Sequence, residues 1–115
     1  MKKVRVIFSP EAEEVYKHLN EAAPNSKVDR SILNAINKKV ELIKINIHYG
    51  EPIAKKLIPE EYKIKYEATN LFRVELPSFW RMLYTLTDGE SQIEIVAFVL
   101  DVLDHKEYNK KFGYK

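Results

Sequence analysis

Two arginines and one histidine are the residues of this sequence best placed to do chemistry. Arg81 interrupts the run FWRMLY, where a charge buried without a partner would be costly, so it requires a carboxylate or an anionic ligand. Glu75, Glu94 and Asp101 are the carboxylates that would neutralise it from within the chain. Arg73 stands in LFRVEL, whose alternation puts Phe72, Val74 and Leu76 on one face and Arg73 and Glu75 on the other. If helices cover the first face, the second is an open concave surface carrying Arg73. His105 opens a tail that also holds Lys106, Tyr108, Lys110 and Lys111, directly after a long apolar run. Cleavage of RNA by its own 2′-hydroxyl needs a base for that proton, cations for the phosphorane and an acid for the leaving oxygen. Histidine, arginine, lysine and tyrosine supply all three without a metal. A histidine among lysines is also the usual make-up of a solvated tail, and spacing alone does not separate the two readings.

Other chemistries find little footing. His18, His48 and His105 lack metal-ligand spacing, so no metal and no cofactor is expected, and neither a phosphate-binding glycine loop nor a G-x-S-x-G turn occurs. Asp101 and Asp104, three residues apart at a strand end, read as turn or cap residues rather than a catalytic carboxylate pair. The absence of cysteine rules out disulfides and thiolate metal sites and fits a cytoplasmic protein. A net charge of +2 is too small to mark a nucleic-acid binder, so the placement of charge matters more than its sum. MKKVRVIFSPEAEE turns acidic before an apolar core develops, and no apolar run approaches the roughly 18 residues of a span, so neither signal peptide nor membrane segment is expected.

The elements that must hold these residues follow from periodicity, and 115 residues with 45% apolar side chains suit a single domain over 1–115. KVRVIF alternates as a strand with Val4, Val6 and Phe8 on one side. Ser9 and Pro10 then start a helix that runs to about Ala23, with Ala12, Val15, Tyr16 and Leu19 as its apolar stripe. Ser26 and Asp29 cap a longer helix over about 28–47, whose Val28, Ile32, Ile36, Val40, Ile43 and Ile47 recur every three or four residues, opposite Lys38, Lys39 and Lys44. Gly50 and Pro52 stop it. The lysine-rich stretch to Lys65 reads as a loop or edge strand, with Lys55, Lys56, Lys63 and Lys65 either solubilising or phosphate-binding. LFRVEL and FWRMLYTL form a hairpin across Pro77-Ser78, Asp88-Gly89 turns again, and IEIVAFVLDVL is a central strand covered on both faces and paired beside 79–86. The order β-α-α-β-β-β predicts an α+β fold, two N-terminal helices packed on a twisted antiparallel sheet. Tyr108, Phe112 and Tyr114 are expected to pack the tail back on that sheet, so that His105 and Arg81 face a common cavity.

This order, together with NLFRVELPSFWRMLYTL…IEIVAFVLDVLDHKEY, resembles the RelE/ParE superfamily of small toxins from toxin–antitoxin pairs. The family's strand pattern Y-R-[hydrophobic]2-Y appears as WRMLY and its terminal H-[RK]-x-x-x-Y as DHKEY, with a loose echo at Gly50, Glu51, Pro52 and Lys56. The resemblance implies a metal-independent endoribonuclease that cleaves messenger RNA at the ribosome and is neutralised by a cognate antitoxin. It implies that Arg81 contacts the scissile phosphate, Arg73 supports it, His105 transfers a proton, Tyr108 orients or donates, and Lys106 binds RNA backbone. Such toxins are covered by antitoxin helices, so an exposed apolar groove is expected. Monomer and homodimer both remain open. Glu75 stands where ribosome-dependent members carry a lysine, and the tyrosine comes earlier than in the family pattern. The ParE-like branch, gyrase inhibitors that act by protein contact, and a non-toxic relative of the fold are therefore the alternatives.

Overall fold

Ser9 divides the first strand from the first helix and ties both to the middle of the sheet. Its hydroxyl accepts from Ala12 N–H at 3.0 Å, as an N-cap should, and donates to the Leu100 carbonyl at 2.6 Å. The computed structural model describes residues 3–88 and 94–113. Within them β1 (Lys3–Phe8) leads into α1 (Pro10–Ala22) and α2 (Lys27–Ile45), followed by β2 (Glu51–Pro52) and α3 (Glu60–Tyr66). The hairpin of β3 (Phe72–Glu75) and β4 (Arg81–Asp88) comes next, and β5 (Glu94–Leu103) runs into α4 (His105–Phe112). The turn expected at Gly89, the start of the last strand at Ile93, the side chain of Glu94 and the packing expected of Tyr114 lie outside the described residues.

The molecule is α+β, but its sheet differs from the expected one. Five strands in the order β1-β5-β4-β3-β2 form a mixed sheet, because β1 pairs parallel to β5 while the other neighbours are antiparallel. Alternation in KVRVIF fixes which side chains face the core and says nothing about strand direction. Direction is set by pairing with a strand about 90 residues away, where Val4, Val6 and Phe8 fall opposite Ile95, Ala97 and Val99.

The long helix follows its pattern. Ile32, Ile36 and Ile43 are fully buried, and Val40 packs partly buried against the same cluster, which joins α1 and α2 to Val74, Met82, Tyr84, Ala97, Val99 and Val102. Val28 is exposed, and Ile47 lies beyond the helix, which ends at Ile45 with Asn46 as its cap. Gly50 therefore does not terminate the helix. It lies against Tyr84, where an added Cβ would come within 2.9 Å of the ring, and it donates its N–H to the Tyr84 hydroxyl at 2.9 Å. Tyr84 in turn donates to the Ile47 carbonyl at 2.8 Å and stacks on Phe72 with ring centroids 5.1 Å apart.

The second face of the sheet is not the open concave surface expected. Ile58, Tyr62, Leu71, Leu83, Leu100, Leu103 and Tyr108 form a second core beneath α3 and α4. The stretch read as loop or edge strand is thus mostly a short strand, a 3-10 turn at Lys55–Leu57 and a helix. A register shift between Leu83 and Tyr84, opposite Asp101 and Val99, lets β5 present Leu100, Asp101 and Leu103 to this second face. Among the described residues no helix is long and apolar enough to cross a membrane.

Candidate functional site

Register brings the candidate residues together. Glu51 lies opposite Arg73 and Glu75 opposite Arg81, so the ends of β2, β3 and β4 set two acids and two bases side by side on the second face. Arg73 meets Glu51 and Glu75, with its Nε 3.2 Å from Glu75 Oε1. Arg81 Nε lies 3.0 Å from Glu75 Oε2. One carboxylate therefore bridges both guanidinium groups, and of the internal partners weighed for Arg81 it is Glu75 that fills the role. These distances make ion pairs, yet neither buried Nε–H points at an acceptor well enough to form a hydrogen bond. Each guanidinium thus keeps a donor unsatisfied behind a carboxylate that is itself 59% exposed.

Helix α4 supplies the remaining members. Asp104 caps it, accepting from Glu107 N–H at 2.8 Å while Glu107 reaches back to the Asp104 amide, so Asp104 is the capping residue expected, whereas Asp101 is no turn or cap residue but lies buried within β5, bonded to Tyr62 and Lys111. The cap fixes His105 at the first turn and, one turn on, drops Tyr108 into the second core at 3% exposure. The Tyr108 hydroxyl accepts from Arg73 at 3.1 Å, and its ring lies 5.1 Å beneath the Arg81 guanidinium. Hydrogen bonding to Tyr108, opposed by burial and helped by Glu51, raises the Arg73 pKa above its ordinary value, so this cation stays charged. His105 is exposed, with Asn109 3.2 Å from its Nε2, and its ring lies 5.8 Å from that of Phe79. His105 and Arg81 are linked through Phe79, whose ring faces His105 and whose carbonyl accepts from Arg81. A hollow of about 150 Å³ is lined by Arg73, Tyr108, Phe112 and the segment Glu51–Ala54.

The lysines divide. Lys106 is exposed on α4, and exposed Lys55 and Lys56 lie on the turn between Ala54 and Leu57, both of which line that hollow. Lys63 pairs with Glu60 at 3.8 Å and Lys65 with Glu11 of α1, so these two are not gathered at the arginines. Among the described residues no three His, Cys, Asp or Glu side chains converge as a metal-ligand set. On the other side of the sheet a hollow of about 460 Å³ is lined by Val6, Ile7, Phe8, Tyr16 and Val40 together with the polar Glu13 and Asn37, so it matches the expected apolar groove only in part.

Sequence reasoning missed two participants. Glu51 carried no signal of its own, because its role depends on a two-residue strand pairing with Arg73. Phe79 sits in the turn between β3 and β4, where Ser78 and Phe79 both have positive φ, 60° and 63°. Such left-handed backbone costs a non-glycine residue roughly 1–3 kcal/mol, and for a bulky aromatic it is uncommon. Comparison of the chain with protein-family models, with curated proteins and with solved structures gives no match to any of them.

Proposed function

We propose that this chain is a RelE-like endoribonuclease toxin that cuts messenger RNA at the ribosome and is restrained by an antitoxin. The observation that carries the reading is the convergence of Arg73, Arg81, Tyr108 and exposed His105 where β3, β4 and α4 meet. In this reading the 2′-hydroxyl attacks phosphorus and the bond to the 5′-oxygen breaks, leaving a cyclic phosphate and a free 5′-hydroxyl. Arg73 and Arg81 offset the charge gathering on the phosphorane oxygens, the step at which fixed cations contribute most. His105 moves a proton at one of the two reacting oxygens, as neutral imidazole from the 2′-hydroxyl or as imidazolium to the 5′-oxygen, and water exchanges the proton at the other. Tyr108 is too buried to donate to substrate and acts as a positioning residue, holding Arg73 by its hydroxyl and Arg81 by its ring. Lys106, Lys55 and Lys56 border the path of the RNA backbone, whereas Lys63 and Lys65 serve the fold. Glu75 occupies the place a phosphate needs, so binding exchanges one anion for another.

A second reading, a ParE-like inhibitor working by protein contact, draws on one observation: Glu51 and Glu75 neutralise both arginines in the free chain. Purified chain incubated with programmed ribosomes separates the two. Cleavage lost in His105→Ala and in Arg81→Ala supports the nuclease, and growth arrest that persists in both variants refutes it. The hollow beside β1 is the surface offered to the antitoxin, because an amphipathic segment laid there would cover Ile7 and Phe8.

A further inference from the structure

We infer that the exposed Phe79 ring, with the His105 imidazole at its side, is a stacking platform for one unpaired nucleobase of a single-stranded RNA, beside the phosphate held by Arg81. The inference rests on the reading of the arginine pair as a phosphodiester site and adds to it the part that recognises a base. Phe79 is 71% exposed on a three-residue turn, a place where glycine or asparagine would relieve the left-handed backbone. Burial cannot account for an aromatic ring at that position. Ile45 and Ile64 are more exposed still, but they are isolated aliphatic side chains with no π face to offer.

The surroundings specify the occupant. The Phe79 ring is tilted at 55° to the His105 ring with centroids 5.8 Å apart, and the two flat groups together make one edge of the site. Its carbonyl receives the Arg81 guanidinium, so the backbone that aims the ring also aims the cation. An aromatic face beside fixed positive charge is the pairing used by proteins that bind single strands, with bases on the rings and phosphates on the cations.

The test uses the full chain and a short, fully 2′-O-methylated RNA oligonucleotide containing 2-aminopurine, with an abasic oligonucleotide of equal length as control. Stacking should quench the fluorophore, and Phe79→Ala should weaken binding of the base-containing strand about tenfold or more without altering the abasic one. Phe79→Trp should bind at least as well as the unaltered chain. Phe79→Leu, which keeps apolar bulk without a π face, should resemble alanine, and thermal denaturation confirms that each variant is folded. Equal affinity in Phe79→Ala, or an equal loss for both oligonucleotides, overturns stacking while leaving the phosphate reading intact. Full affinity in Arg81→Ala removes the phosphate reading, and no binding by the unaltered chain overturns the inference. Loss of growth arrest in Phe79→Ala at unchanged affinity makes Phe79 a protein contact and also overturns the inference.

Discussion

Two ionic clusters share the second face of the sheet, and they are built on opposite terms. Around Asp101 every partner is in place: the Tyr62 hydroxyl donates to Asp101 Oδ2 at 2.6 Å, Lys111 donates to the same oxygen at 3.2 Å, and Lys111 also holds Glu61. The Asp101 side chain is 12% exposed and that of Lys111 20%. Around Glu75 two buried Nε–H donors point past the carboxylate, and the carboxylate itself stands largely in water. A buried charge network is stable only when each member is satisfied. The first cluster meets that condition and fastens α3 and α4 to β5, whereas the second leaves a geometric deficit that an entering oxyanion would fill. The contrast separates a structural network from a binding one on hydrogen-bond geometry, where charge count makes them look alike.

The sharpest break in the comparison is functional. Arg81→Ala and His105→Ala should each lower cleavage of ribosome-bound messenger RNA by about 100-fold or more, the usual loss when a charge-stabilising donor or a proton-transfer group is removed. Neither should shift the melting temperature by more than a few degrees, and rates within threefold of the unaltered chain would remove that residue from the mechanism. In the other cluster the expected loss is of stability: Asp101→Ala strands the Tyr62 hydroxyl and removes one of the two anions facing Lys111, for about 3 kcal/mol by urea denaturation. A cost below about 1 kcal/mol would mean that the network contributes little.

Smaller effects sharpen the same line. Burial first, and then the Asp101 charge, push the Tyr62 phenol above its ordinary value. Lys111 is also raised, because its bonds to Glu61 and Asp101 outweigh the opposing effect of burial. Above about pH 10 the unfolded chain sheds these protons before the folded one, so the unfolded state binds fewer and stability falls as pH rises. Their contribution is complete below that pH and is lost above it. Tyr62→Phe should flatten part of this alkaline decline and cost about 1–2 kcal/mol at neutral pH through the lost hydrogen bond to Asp101. Urea midpoints that stay level from pH 8 to pH 11 in the unaltered chain would contradict the assignment. The smallest change is Glu75→Gln, which should cost under about 1 kcal/mol, since its carboxylate is largely exposed, yet tighten binding of the 2′-O-methyl oligonucleotide several-fold by releasing Arg81 and leaving Arg73 paired with Glu51 alone. Weaker binding in that variant would show that Glu75 holds the arginines in place rather than competing with the phosphate.

Local pattern determined a good part of this protein. Alternation in LFRVEL separated Phe72, Val74 and Leu76 from Arg73 and Glu75, and the unbroken apolar run of β5 announced a strand covered on both faces. Ser9 with Pro10, and Ser26 with Asp29, marked helix starts because a capping side chain acts within three residues of the backbone it satisfies. Helix α3 was not legible, since only Tyr62 of its seven residues is buried while Ile64 is 76% exposed, and so short a segment carries no periodicity. What fixes it is Tyr62 reaching Asp101, thirty-nine residues away. The tertiary structure alone also decided the parallel pairing of β1, the register shift that turns Asp101 inward, and the bridging of two arginines by one glutamate. Periodicity encodes which face a side chain takes, through the fixed geometry of helix and strand. Which partner it meets across the sheet depends on strand order and register, which become defined only when distant segments bury their apolar faces together.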